Sequence, residues 1–361
     1  MTIDKVKILK ALESINVYDE IYVNHPSILK GFHIENLDVN LDLVISNPSL
    51  QFKNKLKKDI ENTLLNIYST AQININIAVE KIAKSHPTAS IKNIIAVASG
   101  KGGVGKSTVS SNLAIAFTKK GYKVGLIDAD IYGPSIPLMF DAESERPKVI
   151  EKDGTSLISP IISYGVKIMS IGFFSDPSEA IVWRGPMATK ALKQIINQTD
   201  WGPLDYLFID LPPGTGDVHL SLVQTIALTG SIIVTTPQPV ALIDAKKAIS
   251  MFKMKEINVP IIGLVENMSW YNVKEDKHYI FGRDGGKNIS NTENIELLME
   301  LPLNQSIREA GDVGRPAALQ ESSLGNIFIK LAEAVEKKVN LMSQSSKETK
   351  KVEIKHNRGC N

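Results

Sequence analysis

Nine consecutive residues, Gly100-Lys101-Gly102-Gly103-Val104-Gly105-Lys106-Ser107-Thr108, carry the strongest chemical signal in the chain. Glycines at this density let a backbone wrap closely and aim its N–H groups at phosphate oxygens. Lys106 is spaced to reach the β- and γ-phosphates of a nucleotide, and the Ser107 hydroxyl to hold Mg2+. The motif needs a strand before it and a helix after it. An apolar run at residues 94–98 precedes it and a helical pattern over residues 109–119 follows. The positive end of that helix dipole adds to the attraction for phosphate. Lys106 alone suffices for a loop that works within one chain. Lys101 is a second cation at the loop's start. Delivered across a dimer seam to a partner's ATP, such a cation can speed phosphoryl transfer by roughly 10³–10⁵. The alternative is a solvated loop charge.

Two carboxylate stretches complete the chemistry. Leu126-Ile127-Asp128-Ala129-Asp130 ends a second apolar run. A carboxylate there can orient the attacking water or hold Mg2+ through water. Asp130 is assigned this switch role, with Asp128 beside it; the alternative for Asp128 is a helix cap or turn. Residues 207–217 read Leu-Phe-Ile-Asp-Leu-Pro-Pro-Gly-Thr-Gly-Asp. The apolar residues deliver Asp210 to a sheet edge, close enough to serve the metal as a Walker-B carboxylate. Gly214 and Gly216 form a loop able to reorganise when the γ-phosphate leaves, and Pro212 and Pro213 stiffen its start. His219, just beyond, is placed to feel the nucleotide site.

These residues need a frame. Short apolar runs at 94–98, 124–128, 206–210, 232–235 and 261–265 alternate with helical segments. Runs of this kind suit a parallel sheet covered on both faces, with ligand at the strands' polar ends. The expected fold class is α/β: a P-loop NTPase of the deviant Walker A class with a mostly parallel central sheet, plus a small N-terminal α+β domain. Residues 148–171 read as additional strands. In the first segment, residues 5–15 suit an amphipathic helix and 52–68 have helical spacing. Leu37, Val39, Leu41 and Leu43 alternate, as do Ile73, Ile75, Ile77 and Val79, and each set predicts a strand. Ser85-His86-Pro87-Thr88 reads as a linker. The expected boundaries are a small domain at 1–84, a linker at 85–92, the ATPase domain at 93–342 and a mobile polar tail at 343–361.

Bulk properties narrow the function. The 361 residues are 43% hydrophobic and 22% charged, enough for a core and about two domains. A net charge of +2 gives no global case for nucleic acid or an anionic membrane. No apolar run reaches membrane-spanning length, and the N-terminus has no signal-peptide pattern. The single cysteine, Cys360, rules out an intramolecular disulfide. A cytoplasmic protein is expected.

Further stretches carry a family resemblance. They are Asp128-Ala129-Asp130-Ile131-Tyr132-Gly133-Pro134-Ser135, Trp183-Arg184-Gly185-Pro186-Met187, Thr236-Pro237-Gln238, Glu266-Asn267-Met268-Ser269 and Ile280-Phe281-Gly282. With the P-loop, and over residues 91–334, the chain resembles the Mrp/Nbp P-loop ATPases, the iron–sulfur cluster carriers. Its first segment resembles the small MIP18-type domain of many bacterial members. The resemblance implies a homodimer that binds ATP and Mg2+, hydrolyses slowly, and holds an iron–sulfur cluster across the dimer. Its implied partners are scaffold proteins and apo iron–sulfur proteins, with no nucleic acid and no membrane. It also implies that Asn267 hydrogen-bonds adenine, a role its amide can fill as donor and acceptor.

One departure is chemical. Many members carry Cys-x-x-Cys between the Asn-Met-Ser and Phe-Gly pieces. Here residues 270–279 contain no cysteine, and Asn47-Pro48-Ser49 lacks the one often found beside that proline. Clusters usually take four thiolates, with histidine an occasional substitute. A dimer of this chain offers two, both from Cys360, with His356 four residues away. Cys360 is therefore the candidate cluster ligand; the alternative is an incidental terminal thiol. His278 is expected at the surface, and His25, His33 and His86 carry no motif. Two other functions stay open: an ATP-switched adaptor without its own cluster, and a Min- or Par-type positioning ATPase. The apolar face of Ile327, Leu331, Ala334 and Val335 favours a sheet-covering helix over the membrane helix of the Min type.

Overall fold

Unbroken apolar runs become strands buried along their length, and alternating runs become strands with one wet face. The computed structural model describes residues 3–18, 21–26, 28–35, 37–45, 50–79, 88, 90–131, 133–152, 155–174, 185–216, 219–220, 222–223 and 226–345. The chain divides into two units: Met1–His86 with Glu151–Ser156, and Pro87–Ile150 with Leu157–Asn361.

In the first unit, α1 (Lys5–Leu12) starts at Asp4, whose carboxylate accepts the Val6 N–H at 2.8 Å. Short strands β1 (Asn16–Tyr18) and β2 (Ile21–Tyr22) pair with each other. β3 (Leu29–Glu35) and β4 (Asp38–Ile45) are antiparallel. α2 (Leu50–Leu65) crosses over to β5 (Gln72–Val79), which lies parallel to β4. Val39, Leu41 and Leu43 of β4 enter a core with Leu56, Ile60 and Leu64 of α2. Leu37, expected to share that face, precedes β4 and is exposed. β3 was not legible, because Gly31 and His33 interrupt any apolar alternation. A Cβ on Gly31 would lie 2.5 Å from the Asp42 carboxylate, which would have to swing aside to admit it.

The second unit begins with β6 (Ile91–Ser99), α3 (Lys106–Lys119), β7 (Val124–Asp128) and the single turn α4 (Ile136–Met139). Then come β8 (Lys148–Lys152) and β9 (Thr155–Ser159), of which residues 151–156 are assigned to the first unit, followed by β10 (Ile161–Ser163), β11 (Val166–Ser170) and α5 (Gly185–Gln198). β12 (Leu204–Pro213), β13 (Gly230–Thr235), α6 (Pro239–Lys253) and β14 (Ile261–Glu266) follow. The last elements are β15 (Tyr271–Val273), β16 (Asp276–His278), α7 (Gly285–Glu293), β17 (Leu297–Glu300), α8 (Gln305–Asp312) and α9 (Ser323–Ser345).

Eight of these strands form one sheet in the order β10-β11-β7-β12-β6-β13-β14-β17, parallel except for the β10–β11 pair. This is the α/β P-loop NTPase architecture. Ile95, Ala96 and Val97 of β6 and Leu207, Phe208 and Ile209 of β12 lie in its core. The strands expected from residues 148–171 exist, and β11 joins the parallel sheet beside β7. Two boundaries shift. β6 takes up Ile91 and Lys92, read above as linker, because Ile91 pairs with Leu204 and Lys92 bonds the Asp205 carboxylate at 2.8 Å. α9 runs past residue 342 to Ser345, and Met342 still packs on the core. Among the described residues no helix is long and apolar enough to cross a membrane.

Candidate functional site

β6 lies between β12 and β13, so the loop that leaves its C-terminal end emerges mid-sheet, where carboxylates from neighbouring strands converge. Gly100 admits no side chain: a Cβ there would sit 2.0 Å from the Asp244 carbonyl oxygen on α6. Gly103 (φ +81°) and Gly105 (φ +82°) take left-handed backbone that L side chains avoid. A Cβ on Gly105 would also meet the Asn267 amide nitrogen at 2.2 Å. That nitrogen donates to the Val104 carbonyl at 2.9 Å, so the end of β14 braces the loop from the side.

At the start of α3, Lys106 is buried, with Nζ 2.9 Å from Asp210 Oδ2 and 3.9 Å from Asp130 Oδ2. Ser107 Oγ donates to Asp210 Oδ2 at 2.6 Å, and Ser110 Oγ to Asp210 Oδ1 at 2.7 Å. The cation and two hydroxyls gather on one fully buried carboxylate. Ser107 and Asp210 are hard oxygen donors in contact, a set that fits Mg2+.

Asp128, at the end of β7, is also fully buried. Its Oδ1 accepts the Asp130 N–H at 3.1 Å; its Oδ2 accepts the Ile136 N–H at 3.1 Å and the Ser170 hydroxyl at 3.0 Å. It thereby fastens the loop that carries Asp130. Burial, reinforced by the negative charge of Asp210, pushes its carboxyl up to about 7, against the opposing pull of the Ile136 N–H and Lys106. Lys101 is exposed on the outer rim of the loop. Its carbonyl accepts the Ser99 hydroxyl at 3.0 Å, and the Ser99 carbonyl accepts the Gly214 N–H at 2.9 Å. The loop after Asp210 is thus tied to the start of the P-loop.

Residues 90–336 match the family described as "ParA: NUBPL iron-transfer P-loop NTPase". The chain belongs to this family. The iron–sulfur cluster carrier protein of Aquifex aeolicus is 48% identical to this chain over 260 residues, 69% of this chain and 70% of that protein. The Synechocystis carrier protein is 36% identical over 313 residues, 84% of this chain and 88% of its own. The mouse iron–sulfur cluster transfer protein NUBPL is 44% identical over 244 residues, 66% of this chain and 75% of its own. Among solved structures, the Archaeoglobus fulgidus nucleotide-binding protein in complex with ADP superposes with a TM-score of 0.56 at 35% identity, covering 63% of this chain and 89% of that one.

The protein brings Lys106, Ser107, Asp128, Asp130, Asp210 and Asn267 together around one loop. Tyr132, Trp183, Arg184, Asp217, His356 and Cys360 lie outside the described residues. The cysteine-free stretch at residues 270–279 holds the β15–β16 hairpin, whose strands are exposed throughout. Lys277 sits 3.8 Å over the Trp270 ring and Arg283 4.7 Å over the Tyr279 ring. His278 is at the surface, as expected. Among the described residues no group of three or more His, Cys, Asp or Glu could hold a metal ion. Sequence reasoning missed the partner of His219. It is buried, with Nε2 2.6 Å from the Pro212 carbonyl.

Proposed function

We propose that the chain is an ATP-binding, slowly hydrolysing homodimer of the cytoplasm that receives iron–sulfur clusters from scaffold proteins and passes them to apoproteins. The observation that carries the nucleotide half is the gathering of Lys106 and Ser107 on Asp210, 2.9 and 2.6 Å away. This is a phosphate-binding cation and a metal-binding hydroxyl held ready on the Walker-B carboxylate. Backbone N–H groups from Gly100 to Thr108 cradle the phosphates, and Lys106 leaves Asp210 for the β- and γ-phosphates. When bound, Mg2+ would be held by Ser107 with Asp210 beside it and would supply positive charge to the site. Asp130 orients the attacking water, and Asp128 fixes the loop from which Asp130 projects. Asn267 meets the adenine while its amide nitrogen braces Val104. Lys101 reaches the ATP of the partner subunit, which gives a reason for an exposed lysine on a phosphate-binding loop.

The family and the names of its members support a cluster as cargo. Ligand arithmetic limits how this chain could hold one. Each protomer has one thiolate, Cys360, so a dimer supplies two of the usual four, and His356 is the nearest substitute. The absence of thiolates from the hairpin favours a second reading, an ATP-switched adaptor that moves clusters between other proteins without holding one. Anaerobic reconstitution with iron and sulfide, followed by absorbance and iron counting, separates the two, with Cys360→Ser as control. A coloured dimer that loses its iron in Cys360→Ser supports the carrier. A colourless protein that still releases phosphate from ATP supports the adaptor. A protein that binds neither ATP nor iron ends both readings. ATP-dependent cosedimentation with vesicles or DNA would instead favour a Min- or Par-type role.

A further inference from the structure

β12 does not end as a regular strand. Its register against β6 shifts between Asp210 and Pro213, so the chain bulges at Leu211 and Pro212. A bulge disrupts the ladder locally, and Pro213 has no N–H to offer. The Pro212 carbonyl is met instead by a side chain seven residues on, His219, whose Nε2 lies 2.6 Å from it. A carbonyl oxygen only accepts, so Nε2 is the donor and the tautomer is fixed. Burial holds the imidazole below its ordinary range, with the Lys106 charge pulling the same way against the Pro212 bond, so the ring is neutral. The His219 backbone closes the same loop, its N–H donating to the Gly216 carbonyl at 3.0 Å. Between these ties lie Gly214, at φ +98°, and Gly216, neither with a side chain to hold its path. The Gly214 N–H donates to the Ser99 carbonyl at 2.9 Å, next to the P-loop.

We propose that His219 is a positioning residue for ATP hydrolysis: by holding the Pro212 carbonyl, its Nε2–H sets where the backbone N–H groups of Thr215 and Gly216 meet the transferred phosphoryl group. This rests on the ATPase reading above. His219 acts through the loop, so its loss lowers turnover more than nucleotide affinity. Stabilisation that is stronger in the transition state than in the ground state has this signature.

The test uses the full chain with MgATP and the variants His219→Ala and His219→Gln. Glutamine returns an N–H donor at similar reach. Loss of the buried hydrogen bond should lower kcat about tenfold in His219→Ala, with ATP affinity changed less than about twofold. His219→Gln should recover to within about threefold of wild type. Hydrogen exchange at Gly214, Thr215 and Gly216 should quicken in the alanine variant and not in the glutamine variant. If His219→Ala does not fold, His219→Met fills the volume without the donor and takes its place. Wild-type turnover in the donor-less variant overturns the assignment. So does a glutamine variant as slow as alanine when both melt at the wild-type temperature. If wild type itself releases no phosphate, the ATPase reading falls, and amide exchange alone decides: equal rates with and without the imidazole overturn the loop assignment.

Discussion

Two buried carboxylates with one cation between their loops make this site sensitive to protonation. Asp128 is pushed up to about 7 from an ordinary value of 3.8, first by burial and then by Asp210. The sign follows from linkage: between those values the unfolded chain has lost the proton and the native chain keeps it. In protein free of nucleotide and Mg2+, the stability contributed by Asp128 should therefore be fully present below about pH 4, be lost as pH rises toward about 7, and stay lost above it. The drop due to Asp128 is roughly 4 kcal/mol. Asp128→Asn removes the titration. It also weakens the acceptors for the Asp130 and Ile136 N–H groups, so its absolute stability is not the readout. Urea midpoints measured from pH 4 to 8 should show a much shallower slope in Asp128→Asn than in wild type. Identical slopes would mean that the native carboxyl titrates near its ordinary value, and that burial does not govern it.

At the scale of elements, α3 is bounded by two glycines that provide a controlled comparison. Gly105 before it and Gly121 after it both have positive φ, +82° and +90°. Alanine at either site should cost about 1–2 kcal/mol for backbone alone. Gly121 has nothing within 4 Å of an added Cβ, whereas Gly105 has the Asn267 amide at 2.2 Å. Gly105→Ala should thus be the more destabilising by about 1 kcal/mol, the worth of the Asn267–Val104 hydrogen bond it displaces, and should lose ATP binding. Gly121→Ala should keep it. Equal unfolding free energies for the two would show that Asn267 does not brace the loop. The same region shows what was legible from sequence. β6, β7, β12, β13 and β14 announce themselves as apolar runs, and strand order alone brings Asp210 to Lys106. β11 did not reveal its place: five residues cannot say which strand they join, and its pairing with β7 depends on a crossover. Nor could the role of His219 be read, because Pro212 loses its ladder donor only through a bulge that no residue type specifies.

At the scale of the whole molecule, the question is whether one protomer completes a site. Lys106 is engaged with Asp210 inside its own loop, whereas Lys101 stands exposed on the rim. If Lys101 serves the neighbour, two different defects should complement each other. Lys106→Ala is a poor choice for the first, because removing the cation from a buried pair leaves an uncompensated charge worth about 3–5 kcal/mol. Lys106→Gln keeps a donor for Asp210 and removes the phosphate-binding charge. Lys101→Ala should bind ATP with near wild-type affinity by titration calorimetry and turn over at least tenfold more slowly, an order of magnitude set by trans-acting cations. Lys106→Gln should not bind. Mixed, the two form dimers in which the intact Lys106 loop of one chain receives Lys101 from the other. That site is complete, so phosphate release should reappear on mixing and saturate with the ratio of the two chains. A double variant, Lys101→Ala with Lys106→Gln, mixed with Lys101→Ala has no such site and should stay inactive. Were Lys101 to act on its own loop, every pairing in the first mixture would remain defective, and no recovery at any ratio would place both lysines in the service of one protomer.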